Sequence, residues 1–172
     1  PTVFNGSDVD PAAMVRRANA MTMQELPPLA VLKVIDEDTA RPGEDYFTPH
    51  LGETLADTPA VIARIVRSLE YERDITVSAA GSADLNDKEL EYHWVILRGD
   101  PDKISITHPS DDRSVARIKV AYHHRRPIAP ESDMHSNRVD IGVFVHNGTY
   151  YSPPAFVTFF TLDSEARTYD AD

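Results

Sequence analysis

From Glu72 onward, apolar residues recur at every second position, the period of a strand with one buried face. Ile75, Val77 and Ala79 alternate with Thr76, Ser78 and Ala80. Leu90, Tyr92, Trp94 and Ile96 then share one face, with Glu91 and His93 opposite. Ile104 and Ile106 mark a third strand. Ala116, Ile118, Val120 and Tyr122 mark a fourth, interleaved with Arg117 and Lys119. Val139, Ile141, Val143 and Val145 form a fifth, which stops at the turn pair Asn147-Gly148. The sixth, Ala155 to Leu162, is apolar on both faces (Phe156 and Phe160; Val157 and Phe159), so it predicts cover on each side. Short strands separated by turns predict an antiparallel sandwich rather than a wound α/β sheet.

The first seventy residues are patterned differently. Asp10 is placed to cap a helix, Pro11 suits its first turn, and Val15, Ala18 and Met21 or Thr22 fall on one face. The prediction is a helix from Pro11 to Glu25, stopped by Pro27-Pro28, with Met14, Met21 and Met23 as packing residues. Leu29 to Ile35 reads as a strand. The stretch from Asp36 to Pro59 reads as loop throughout, with seven acidic residues among Pro42, Gly43, Pro49 and Gly52. Loops of that length inside a domain are either functional or disordered. Tyr46, Phe47 and Leu51 are the residues able to pin it. Thr58 to Leu69 fits two periods. Val61, Ile62, Ile65, Val66 and Leu69 follow the helical one, which is preferred here, while Val61, Ala63 and Ile65 also alternate.

Composition narrows the reading. A chain of 172 residues buries a core without covalent staples, and none is available, because there is no cysteine. The net charge of −11 repels nucleic-acid phosphates and anionic lipid, which argues against both as partners. The charge is uneven, with basic residues in excess from Arg98 to Arg126 and acidic residues towards both ends. No apolar run reaches the length of a membrane span, so no membrane insertion is expected. Beginning at Pro1, without a signal peptide, the chain reads as a processed product or a piece of something longer.

The segment VSAAGSADLNDKELEYHWVILRGD resembles the PKD domain, an immunoglobulin-like β-sandwich of bacterial extracellular proteins. The Gly-Ser-x-Asp turn of that family falls on Gly81, Ser82 and Asp84, its polar loop on Asn86 and Asp87, and its Tyr-x-Trp signature on Tyr92 and Trp94. The stretch SNRVDIGVFVHNGTYYSPPAFVTFF is similar to the closing hairpin of such a sandwich. Two features depart from the pattern. Val95 to Asp100 replaces the usual Gly-Asp-Gly run, and His123 to Arg138 is longer and richer in proline. The resemblance covers about the last hundred residues. It implies a mainly β, immunoglobulin/PKD-like antiparallel sandwich over 71–163, with an N-terminal extension over 1–70 carrying one or two helices and an acidic tail over 164–172. It also implies an extracellular, periplasmic or cell-surface location, with other domains of the same parent chain as neighbours.

Four groups of residues invite a chemical reading. Ser82, Asp84, Asn86 and Asp87 offer hard oxygen ligands over a short loop, which suits calcium; otherwise no cofactor is expected of the sandwich module. The same side chains suit turn bonds to their own backbone. His123, His124, Asp133 and His135 supply nitrogen and oxygen donors for a transition metal, with Arg125, Arg126 and Arg138 nearby. Adjacent histidines in a strand point to opposite faces, which works against a shared ion. Tyr150 and Tyr151, beside Asn147-Gly148, are candidate platforms for a sugar ring. Glu89 and Glu91 face one side, as a solvated surface does. Tyr92 and Trp94 are expected as core anchors. No serine-hydrolase elbow, zinc-protease helix or phosphate loop is present.

The expected function is a non-catalytic accessory module of a larger exported bacterial protein, acting as a spacer or as a protein or polysaccharide interaction domain. A carbohydrate-binding module using Tyr150, Tyr151 and the acidic loop is the alternative. A small metal-dependent enzyme using His123 to His135 is the third reading.

Overall fold

The structure is a computed structural model that describes residues 6–162; the tail expected over 164–172 lies outside them. Among the described residues, one α-helix, α1 (Pro11–Ala20), precedes eleven strands. Four form one sheet in the order β1 (Lys33–Glu37), β4 (Glu72–Ser78), β7 (Val115–Ala121) and β6 (Ile104–Thr107), antiparallel throughout. Five form a second, in the order β2 (Thr54–Asp57), β3 (Val61–Val66), β11 (Ala155–Thr161), β10 (Val139–His146) and β5 (Glu91–Arg98). In this second sheet β3 runs parallel to β11, and the other pairs are antiparallel. A small hairpin, β8 (Arg126–Pro127) with β9 (His135–Ser136), occupies the connection between β7 and β10.

Period-two patterning decides which side chains meet. Ile75 and Val77 of β4, with Ala116, Ile118 and Val120 of β7, point from the first sheet into one core. Val139, Ile141, Val143 and Val145 of β10, with Ala155, Val157 and Phe159 of β11, enter the same core from the second. Trp94 of β5 joins them, and its indole N–H donates to the Arg113 carbonyl at 2.9 Å, so its one polar atom is satisfied. Tyr92 and Leu90 pack against this cluster.

Thr58 to Leu69 is not a helix. Val61–Val66 is strand β3, seated between β2 and β11. Neighbours on both edges and burial on both faces removed the amphipathic contrast on which the helical reading relied. Ile62, Ala63, Arg64 and Val66 are all buried. The predicted loop over residues 36–59 also contains β2 (Thr54–Asp57). Residues 33–66 are therefore woven into both sheets rather than laid on them.

Arg64 closes the seam between the layers. It points inward from β3 with a relative exposure of 3%, and its guanidinium meets Glu37 of β1 at 2.7 and 2.9 Å. Asp57 lies at 3.3 Å, and the Ala56 carbonyl accepts at 2.9 Å. Burial opposes the charge on this guanidinium, yet the bidentate Glu37 pair and Asp57 together hold its pKa above the ordinary value. Arg73 of β4 does the same work nearby, pairing with Glu53 at 2.7 Å and Glu70 at 2.9 Å. Glu53 in turn accepts the Arg67 and Ser68 backbone N–H groups.

The helix starts where the sequence reading put it. The Asp10 carboxylate accepts the Ala13 N–H at 2.9 Å, and Pro11 occupies the first turn. It stops at Ala20, however, and a separate turn covers Met23–Glu25. No residue of α1 is buried, and Met14, Met21 and Met23 are exposed, so the methionines fill no core. Leu29 pairs with Ala83, and the regular part of the first strand runs over Lys33–Glu37 rather than Leu29–Ile35.

Trp94→Ala removes the largest ring of the shared core and the bond to Arg113. The expected cost is about 3–5 kcal/mol in urea denaturation. A loss below about 1 kcal/mol would contradict the placement of Trp94 in the core.

Candidate functional site

The register places the loops at two opposite ends. At the first, β4 ends, β5 begins and β10 meets the Asn147-Gly148 turn; this is the Asn147 end. At the second, β3 and β11 finish, β4 begins and β7 leads to Tyr122; this is the Tyr122 end.

The residues expected to hold calcium lie at the Asn147 end. Ser82 donates to the Ala79 carbonyl at 2.6 Å and accepts the Val31 N–H at 3.0 Å. Asp84 is buried. One of its oxygens accepts the Asn86 N–H at 2.8 Å, and the other accepts from the Asn147 side-chain amide at 2.6 Å. Asn86 donates to the Met23 carbonyl at 3.0 Å, and Asp87 has a positive φ of 53°. The Asn147 hydrogen bond, followed by the backbone bonds of Asn86 and Lys88, holds the Asp84 carboxyl below its ordinary pKa. Asn147 itself is buried, and its side-chain oxygen receives the Thr149 and Tyr150 N–H groups. One hydrogen bond thus locks the polar loop to the β10–β11 turn.

Tyr150 and Tyr151 follow that turn and are 38% and 55% exposed. Tyr151 packs against two histidine rings. Its ring lies 4.4 Å from that of His146 and 5.3 Å from that of His93. The Glu91 carboxylate lies 3.6 Å from His93 Nε2 and 3.7 Å from His146 Nδ1. This cluster escaped the sequence reading because β5 and β10 are far apart in the chain and meet only through their pairing. Its legible signal was the outward position of Glu91 and His93 on β5. Glu89 and Glu91 are both exposed.

The histidines between β7 and β10 do not converge. His123 is buried, and both of its ring nitrogens are engaged with backbone. Nε2 accepts the Asp100 N–H at 2.9 Å, and Nδ1 lies 2.7 Å from the Ala121 carbonyl. Gly99, with φ of 131°, leaves room there, since a Cβ would sit 3.4 Å from His123 Nε2 and 2.7 Å from the Ile104 side chain. His124 is exposed, with its ring edge-on to Tyr122 at 5.0 Å. His135 lies on the small hairpin with Nδ1 near the Asp133 carbonyl, and Arg126 pairs with Asp100 at 3.1 Å. Among the described residues, no group of three histidines or carboxylates is arranged to hold a metal ion.

One concave feature draws on the acidic loop. A cavity of about 470 Å³ opens at the Tyr122 end, walled by Tyr46, Phe47, Leu69, Tyr71, Tyr122 and His124. Arg67, Glu70 and the Gly43–Thr48 stretch of the acidic loop complete it. The rings of Tyr71 and Tyr122 lie 6.0 Å apart at 36°. Tyr46 is buried and donates from its hydroxyl to the Leu51 carbonyl at 2.7 Å, so it pins the loop, whereas Phe47 and Leu51 stay exposed. The Arg41 pair with Glu44, at 2.7 Å, braces the same turn. Of all this, the unusual length of the loop and the pinning residue Tyr46 were visible in the sequence.

Asp84 gives the Asn147 end a pH dependence. A carboxyl depressed in the fold stabilises it above the unfolded pKa, and that contribution is lost as pH falls through the folded value. Asp84→Asn should therefore unfold at lower urea than the parent at pH 7, and the two should converge below the ordinary value of 3.8. A difference that stays constant into acid would contradict the assignment. No family model and no curated protein matches the chain.

Proposed function

We propose that the chain is a non-catalytic, immunoglobulin-like β-sandwich module of the PKD type, serving as a spacer and interaction domain beside other domains of an exported bacterial protein. The strand order supports the fold. A sheet β1-β4-β7-β6 opposed to one containing β5-β10-β11 has the arrangement ABED against CFG, with β3 as the first strand continued into the second sheet. Trp94 on β5 then takes the place of the buried tryptophan on the third strand of such domains.

One observation carries the spacer role. β1 begins at the Asn147 end, where Lys33 pairs with Ser78, and β11 finishes at the Tyr122 end, beyond the Phe160–Ile65 pair. The path therefore gains the length of a strand between entering and leaving, roughly 20–25 Å for seven residues. The N-terminal segment is fastened at the end where the sheets begin, by the paired Leu29 and Ala83 backbones and by Ser82. The non-catalytic reading draws support from His123 and Asp84, whose polar atoms hold backbone and turn rather than facing a cleft.

The chain has no cysteine, so labels attach only where one is introduced. Leu85→Cys and Leu69→Cys place spin labels on exposed positions at opposite ends. Their separation should be at least about 25 Å by electron-spin distance measurement. The same preparation should show no turnover of polysaccharide, peptide or ester substrates. A separation well below that length would contradict the spacer, and hydrolysis abolished by His124→Ala would contradict the non-catalytic reading.

A further inference from the structure

We infer that the cavity at the Tyr122 end is a binding site for a neutral polysaccharide chain, and that Tyr71 and Phe47 provide its stacking surface. This deepens the interaction-domain reading and rests on it. The cavity of about 470 Å³ falls within the range of small-ligand sites. Its walls combine two chemistries that a sugar needs together. Tyr71 and Phe47 are 64% and 73% exposed, and flat rings in water are relieved by the C–H face of a pyranose. Tyr122 lies against Tyr71, and His124 stands edge-on to Tyr122, so the aromatic surface has a floor and a side.

The polar groups of the rim match hydroxyls better than charges. Glu44, Asp45 and Glu70 share it with Arg67 and His124, so donors and acceptors of both kinds surround the rings. The carboxylates among them, and the chain's net charge of −11, disfavour an anionic ligand. An uncharged polyol meets no such penalty. A purely apolar ligand would strip water from these charged groups without replacing their hydrogen bonds.

The wall is also set before any ligand arrives. Tyr46 donates to Leu51, Asp45 accepts the Arg41 N–H at 2.6 Å, and Glu53 binds the Arg67 and Ser68 backbones beneath the cavity. A loop held in this way loses little freedom on binding, which favours affinity. Its length, unusual for a connection inside a domain, is explained by the site it encloses. The site lies at the end of the molecule opposite Tyr150 and Tyr151.

The test titrates the full chain with cello-, chito-, xylo- and manno-hexaose, following amide shifts and ligand-observed NMR. The same protein is then sedimented with insoluble cellulose, chitin, xylan and mannan. Saturable binding of at least one glycan is expected, with shifts confined to residues around Tyr71 and Tyr122. Tyr71→Ala and Phe47→Ala should each weaken it at least tenfold with melting curves unchanged, and Tyr150→Ala/Tyr151→Ala should not. If either single variant fails to fold, the other and the parent shift map give the answer. Absence of binding to all of these glycans overturns the inference. So does loss of binding through Tyr151 but not Tyr71, which leaves the interaction-domain reading standing. Peptide ligands that shift the cavity residues while glycans do not overturn it likewise. Release of reducing ends from a bound glycan would instead overturn the non-catalytic reading itself.

Discussion

A guanidinium sealed between two sheets is the constraint on which this architecture turns. β1 and β3, separated along the chain by β2, belong to different layers, so a seam runs between them. Arg64 fills it, bonded in two places to Glu37 across the layers and to the Ala56 carbonyl within its own. A charge this buried is tolerated only when paired and hydrogen-bonded on every side. It therefore ties β3 to β2 beside it and to β1 across the layers. An apolar residue would fill the space without specifying the partner. Arg73 and Glu53 repeat the device at the Tyr122 end, where they also hold the base of the cavity.

The consequence is a molecule with two unlike ends. At the Asn147 end, Asp84 and Asn147 join the two sheets' loops through a buried polar bond, and the N-terminal segment is tied to the same loop. That end is closed by hydrogen bonding. At the Tyr122 end the loops stand apart and leave an aromatic hollow, braced from below by ion pairs.

Legibility in the sequence followed burial geometry. Strands with one buried face, such as β4, β5 and β7, were readable because their inward residues alternate. β3 was not, since it is buried on both faces and carries its charge inward. Its partner Glu37 lies 27 residues earlier, in a stretch that read as loop. The capping residues of α1 were readable because Asp10 and Ala13 are local, but its exposed methionines show that a one-sided pattern does not guarantee a core to face. The cavity was the least legible feature. Its walls come from the acidic loop, the β3–β4 connection and the residues after β7, none of which is near another in sequence. Tyr150 and Tyr151 drew notice because they are adjacent, whereas Tyr71 and Tyr122 become neighbours only through the pairing of β4 with β7.

The parallel pairing of β3 with β11 underlies the whole arrangement, because it sets Arg64 inward and brings both strands to finish at the Tyr122 end. Nuclear Overhauser contacts in the labelled chain read it directly. Strong sequential Hα–HN contacts along Val61–Val66, with cross-strand contacts linking Ile62 to Val157 and Arg64 to Phe159, are the expected result. Sequential HN–HN contacts through Val61–Val66, with none to β11, would mean a helix and would contradict it.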